Sequence, residues 1–118
     1  DVAAKLRVKN GFIRKKEEKM QPFDVKAKID YVQDTIVSEV LYADGEYSIT
    51  LKALDSGTEI KTHISPVDAV VFVLEGDMEF VVDNEKFNLS TGEMLMMKKN
   101  TPHSLSALSK AKMLLIKI

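Results

Sequence analysis

Cysteine and tryptophan are absent from the 118 residues, which excludes disulfides, thiolate ligands and a cysteine nucleophile. Any metal would have to be held by His, Asp, Glu or Met. Histidine is scarce too, with only His63 and His103 in the chain. The glycines number five and stand apart from one another, so there is no Gly-rich loop to cradle phosphates and no nucleotide site of that kind. No apolar stretch approaches the ~20 residues of a membrane-spanning helix. The opening "DVAAKLRVKN" lacks the apolar core and small-residue cleavage pattern of a secretory signal, so a cytoplasmic protein with no membrane partner is expected.

Neither sign of charge dominates: the net charge is -1. That figure hides an asymmetry, because residues 1–20 carry seven Lys or Arg against three acids and the remainder ten against fifteen. Glu17 and Glu18 interrupt the basic head, and no aromatic platform accompanies it. It reads as a solvated terminal segment and not as a nucleic-acid contact.

What is present is the punctuation of an all-β domain. A chain of 118 residues fits one domain with a real core. Runs rich in Val, Ile, Leu, Tyr and Phe alternate with turn signals: "ADGE" at 43–46, "DSGT" at 55–58, "EGD" at 75–77, "DNE" at 83–85, "STGE" at 90–93 and "KKNTP" at 98–102. These predict strands at 35–42, 47–54, 58–64, 69–75, 78–83, 86–89, 93–98, 103–107 and 111–117. The even spacing without helical periods points to a closed barrel or a two-sheet sandwich. Residues 1–34 read as a less regular extension of the same domain, with a short helix at 2–10 stopped by Gly11, and 35–118 as the barrel.

The runs "AVVFVLEG", "MLMM" and "MLLI" are apolar on both faces, so both faces must be covered. One lines the interior. The other packs on the N-terminal segment, a second sheet or another subunit, and a homodimer is the expected partner.

"HISPVDAVVFVLEG" followed by "STGEMLMMKKNTPHSL" resembles the two motifs of a small single-domain cupin, of the RmlC-like, cupin 2 conserved-barrel type, from about residue 35 to the end. The resemblance implies a jelly-roll barrel of antiparallel strands with ligands held at one mouth. Residue by residue, His63 falls on the first histidine of the first motif and His103 on the histidine of the second. Ser65 stands where the motif has its second histidine, and Ala69 where it has a glutamate, so two of four metal ligands are missing. Gly76 and Gly92 match turn glycines, Asn100 replaces the glycine of the second motif, and Lys98 its proline. The "SPVDA" string is similar to a subgroup of small bacterial cupins with reduced first motifs.

The chemistry left to such a site can be read from the residues themselves. Side chains two apart on a strand share a face, so His63 and Ser65 are expected to point together, with His103 joining across the barrel. Met94 and Met96 share a face and are expected to wall an apolar pocket. Two imidazoles and a hydroxyl suit Zn, Fe, Mn, Ni or Cu only as part of a larger set, so the expected cofactor is none or a weakly bound divalent metal on His63 and His103. Glu75 and Asp77 read as turn residues, Asp68 as a cap, Met97 as core filler, and Tyr31, Tyr42 and Tyr47 as packing groups. A Ser65–His103–Asp68 triad has no nucleophile elbow to support it. Three functions follow: a small-molecule binding barrel, favoured here; a metal-dependent oxygenase or isomerase; and a structural or partner-binding barrel with a vestigial cavity.

Overall fold

The computed structural model describes residues 20–118. The helix expected at 2–10 and nearly all of the basic head lie outside the described residues. A 3₁₀ turn at Val25–Lys28 precedes nine strands: β1 Ile36–Asp44, β2 Tyr47–Leu54, β3 Glu59–His63, β4 Ala69–Glu75, β5 Asp77–Val82, β6 Glu85–Ser90, β7 Met94–Met97, β8 His103–Ala107 and β9 Ala111–Lys117. Every expected strand is present, with ends within two residues of those set by the turn signals.

Turn chemistry explains the boundaries. Asp83 and Asn84 both adopt positive φ, 50° and 68°, which makes the two-residue left-handed hairpin whose twist suits β5 and β6. Gly76 lies between β4 and β5 at φ +86°, and a Cβ there would sit 2.1 Å from the Lys110 carbonyl oxygen. No other residue fits without moving backbone.

All pairings are antiparallel, in a five-stranded sheet ordered β1-β2-β9-β4-β7 and a four-stranded sheet ordered β3-β8-β5-β6. The facing sheets form the jelly roll. Between them lies a core that includes Leu54, Val71, Val73, Met78, Phe80, Leu105 and Met113. Each such side chain contributes ~1.5–3 kcal/mol by leaving water.

The doubly apolar strand is covered along its inner face and, on its outer face, at Leu74. Ala69, Val71 and Val73 of β4 point into the core. On the outer face Leu74 joins Ile29, Leu51, Ala53 and Leu114, packed beneath Val25 and Tyr31 of the N-terminal segment. Polar contacts pin that segment: Tyr31 donates to Glu75 at 2.5 Å and Lys112 to the Lys26 carbonyl at 2.7 Å. No helix among the described residues is long and apolar enough to cross a membrane.

Candidate functional site

The inner face of the barrel changes character along its length. In the five-stranded sheet the register stacks Ile36 on Leu54, then Ser38–Lys52–Met113–Val73, then Val40–Thr50–Leu115–Val71, then Ser48–Lys117–Ala69–Met97. Side chains alternate across a strand, so these rows all face inward with the core members Leu54, Met113 and Val71. One end is dry. At the other, water reaches the inner face from the side of the edge strand β1, where Ser38 and Val40 are exposed and Lys52 and Lys117 half-buried, while Val73, Val71, Ala69 and Met97 of the same rows stay buried.

The four-stranded sheet brings both histidines to that mouth. Ile60 pairs with Leu105, but His63 pairs with His103, so three steps along β3 match two along β8. The extra residue, at Lys61–Thr62, is a β-bulge, and it reverses the alternation that would otherwise turn His63 outward. The two rings meet edge to face with centroids 4.2 Å apart. His103 is buried, at 6% exposure, and His63 is exposed.

Backbone contacts set the state of both rings. His63 Nδ1 lies 2.8 Å from the Lys61 carbonyl oxygen and His103 Nδ1 lies 2.9 Å from that of Thr101. A carbonyl oxygen can only accept, so each Nδ1 carries a proton, and in the neutral tautomer Nε2 is the nitrogen left to accept. Burial is the main cause that holds His103 below the ordinary histidine pKa; the Thr101 hydrogen bond opposes it, and the neighbouring His63 and Lys117 add to it.

The remaining expected site residues are not all gathered with this pair. β3 ends at His63, and Ser65 lies in the following loop, where its hydroxyl donates to the Val67 carbonyl at 2.9 Å and accepts from the Val67 amide at 3.3 Å. Its role there is to hold a turn. The pocket wall expected from Met94 and Met96 is corrected: they stand 55% and 72% exposed on the outer face, while Leu95 and Met97 take the inward positions. Strand parity decides this, since Ala69 and Val71, their inward neighbours on β4, pair with Met97 and Leu95. Asp68 caps the 98–102 loop by accepting from the Lys99 amide at 2.8 Å. Asn100 takes φ 63°, and its amide donates to the Ser65 carbonyl at 2.7 Å. Glu75 is more than a turn residue, since it accepts the Tyr31 hydroxyl.

Two inward lysines escaped the motif-based reading. Lys52 donates to Ser38 Oγ at 2.8 Å and is held below its ordinary pKa by burial first and then by Lys117. Lys117 pairs directly with Ala69, so an ammonium neighbours the position where the motif carries its glutamate. Counting by twos from Leu54 and Met113 would have placed both on the inner face.

The donor set does not fit a resident divalent metal. Two imidazoles are half of a usual set, Ala69 has no ligand atom, and among the described residues no three His, Asp or Glu side chains come together. Glu85 continues the His63–His103–Val82 row but sits exposed at the sheet edge, apart from the histidines. Lys117 further opposes a cation. Two surface grooves lie elsewhere, one of about 310 Å³ on the outer face of the four-stranded sheet along Thr62, Glu79 and Ser104, the other of about 540 Å³ beside Thr35 and Gly57.

No curated protein matches the sequence. Among solved structures, a conserved protein of unknown function from Streptococcus pyogenes is 33% identical, with TM-score 0.81 over 86% of this chain and 89% of that one. A cupin 2 conserved barrel domain protein from Leptotrichia buccalis is 31% identical, with TM-score 0.79 over 81% of this chain but 47% of its own. A cupin superfamily protein from Desulfitobacterium hafniense, 20% identical with TM-score 0.80 over 86% of this chain and 93% of its own, shares the fold. The cupin domain family matches residues 50–118, which includes both histidines, the turn glycines and the inward lysines. With that match, the jelly-roll topology and the paired His63 and His103, the chain belongs to the cupin family.

Proposed function

We propose that the barrel binds a small organic molecule at its open mouth, with His63 and His103 among the groups that orient it. The observation that carries this reading is the histidine pair itself: one buried and one exposed ring, in contact, each with a bare Nε2 above a dry apolar core. A few convergent polar groups over apolar walls are the usual make-up of a small-molecule site. Among the described residues no group partners the Nε2 of the buried His103 ring, and a buried polar nitrogen of this kind calls for a donor, which a bound molecule can supply.

The test is a metal and ligand analysis of protein purified without an affinity tag and dialysed against chelator. Far less than one equivalent of Zn, Fe, Mn, Ni or Cu is expected, together with a small molecule retained by the wild type in native mass spectrometry and lost in His103→Ala. Close to one equivalent of metal, removed by His63→Ala or His103→Ala, would overturn this reading in favour of a metal-dependent enzyme.

We also propose that the protein is a homodimer through the outer face of β4 and β7, where Phe72 and Val70 adjoin the exposed Met94 and Met96. An apolar patch of this kind on a sheet face is the common mark of a subunit contact.

A further inference from the structure

The mouth that the small-molecule reading requires has a definite charge. Its inward-facing ionisable groups are Lys52 on β2, Lys117 on β9, His63 on β3 and His103 on β8. Glu85, the one acid in these inward rows among the described residues, is exposed on the edge strand. Asp68 is committed to the Lys99 amide. Lys117 stands in register beside Ala69, with Ser48 on its other side. Where the family motif places a carboxylate that would face a cation, this chain has a methyl group with an ammonium next to it.

Two half-buried ammonium groups that repel each other, and no carboxylate between them, form an unfinished electrostatic arrangement. An anion completes it. The uncharged groups around them narrow the choice. Ser38, Ser48 and Thr50 line the same inward rows and can donate or accept, and the Nε2 atoms of the two rings, in the Nδ1–H neutral tautomer, can only accept. Acceptors of that kind call for hydroxyl donors on the ligand. Among the described residues, 20–118, there is no arginine and no Gly-rich loop or helix N-terminus at the mouth, so these residues do not supply the forked donors and backbone cradle typical of phosphate recognition.

We propose that the barrel mouth binds a small hydroxylated carboxylate, its anionic group on Lys117 and Lys52 and its hydroxyls on His63 and His103. This rests on the small-molecule reading above and deepens it. The same inner face that lacks half of the motif's cation ligands then favours the opposite charge.

The experiment follows the ring signals of His63 and His103 by NMR while the protein is titrated with four probes: gluconate, tartrate, their neutral counterparts sorbitol and threitol. Inorganic phosphate is a fifth, at matched ionic strength. Saturable shifts are expected with at least one of the two acids, at least about tenfold weaker binding of its neutral counterpart, and a loss of about tenfold or more in Lys117→Met and in Lys52→Met, the scale of one charge-assisted contact. Both variants remove an uncompensated charge and are expected to melt no lower than wild type, so lost binding would not reflect lost folding. Lys110→Met, on the loop before β9, is the control and should bind as wild type does. If the polyols shift the rings as well as the acids do and the lysine variants bind normally, the small-molecule reading stands and the anion inference fails. Phosphate binding more tightly than either acid would overturn the choice of carboxylate. If no probe shifts either ring by 20 mM while a co-purified molecule is held elsewhere, both readings fail.

Discussion

A buried imidazole that gains a proton must carry that charge next to Lys117 and without a carboxylate, so the fold resists its ionisation. In the unfolded chain His103 titrates near the ordinary 6.5; in the native state burial, His63 and Lys117 hold it lower. The unfolded state therefore binds the extra proton first, and stability falls as pH drops below about 6.5 until the native pKa is passed. Asp55, held low chiefly by the Asp34 amide and also by that of Ser56, acts in a separate window below its ordinary 3.8. Melting temperatures in dilute buffer should decline between pH 7 and 5, and His103→Gln should remove part of that slope. An unchanged slope in the variant would show that His103 is not the group responsible. At this scale much was legible. The two histidines stood out by scarcity and motif position, and Asn100 as a residue that tolerates the left-handed backbone it adopts. Lys52 and Lys117 were hidden because lysine on a strand normally marks a solvent face, although counting by twos from Leu54 and Met113 reaches both, and their register with Met113 and Ala69 gives the inward direction.

The strands themselves were readable because turn residues and β-branched runs are local signals, and nine of nine emerge close to their expected limits. What strand parity alone could not supply was a change of parity. Simple alternation pairs His63 with Ser65 on one face, yet the bulge at Lys61–Thr62 turns His63 inward toward His103, and Ser65 falls beyond the strand. Nothing in "EIKTH" marks the extra residue, because a bulge without glycine is set by what the partner strand demands. The methionines illustrate the same limit. "EMLMMKK" has two apolar parities, and the choice between them depends on Ala69 and Val71, which face the core. Removing the bulge tests the account. Deleting Thr62 takes out the extra residue, so regular pairing should set His63 two steps from Ile60, still on the inner face and still in ring-to-ring nuclear Overhauser contact with His103. The change lies outside the core, so the stability cost should stay near ~1 kcal/mol. Loss of that contact in a folded deletion variant would show that the bulge does more than correct the parity of the strand.

On the scale of the whole molecule, the five-stranded sheet has an outer face divided in two. Over Leu51, Ala53, Leu74 and Leu114 it is roofed by Val25, Ile29 and Tyr31, and the Tyr31–Glu75 and Lys112–Lys26 hydrogen bonds hold the roof in place. Over β7 no described residue plays that part, and Met94 and Met96 reach solvent beside Phe72 and Val70. Methionine suits a surface that must pack against an irregular partner, because its unbranched side chain adapts at small cost. β7 is also the edge of its sheet, and an edge with apolar side chains is exposed to association unless something covers it. A second copy of the chain meets this requirement symmetrically, bringing the same patch to itself about a two-fold axis. Sedimentation at high micromolar concentration should give a dimer, and Met94→Lys with Met96→Lys should give a folded monomer, since two ammonium groups facing their own copies cost more than the patch returns. The substituted residues are exposed and outside the core, so the variant's melting temperature reports whether the monomer retains its fold. A wild-type monomer under these conditions would overturn the dimer, as would a lysine variant that remains dimeric. A shift of the patch signals on removing residues 1–19 from that monomer would instead identify the basic head as the cover.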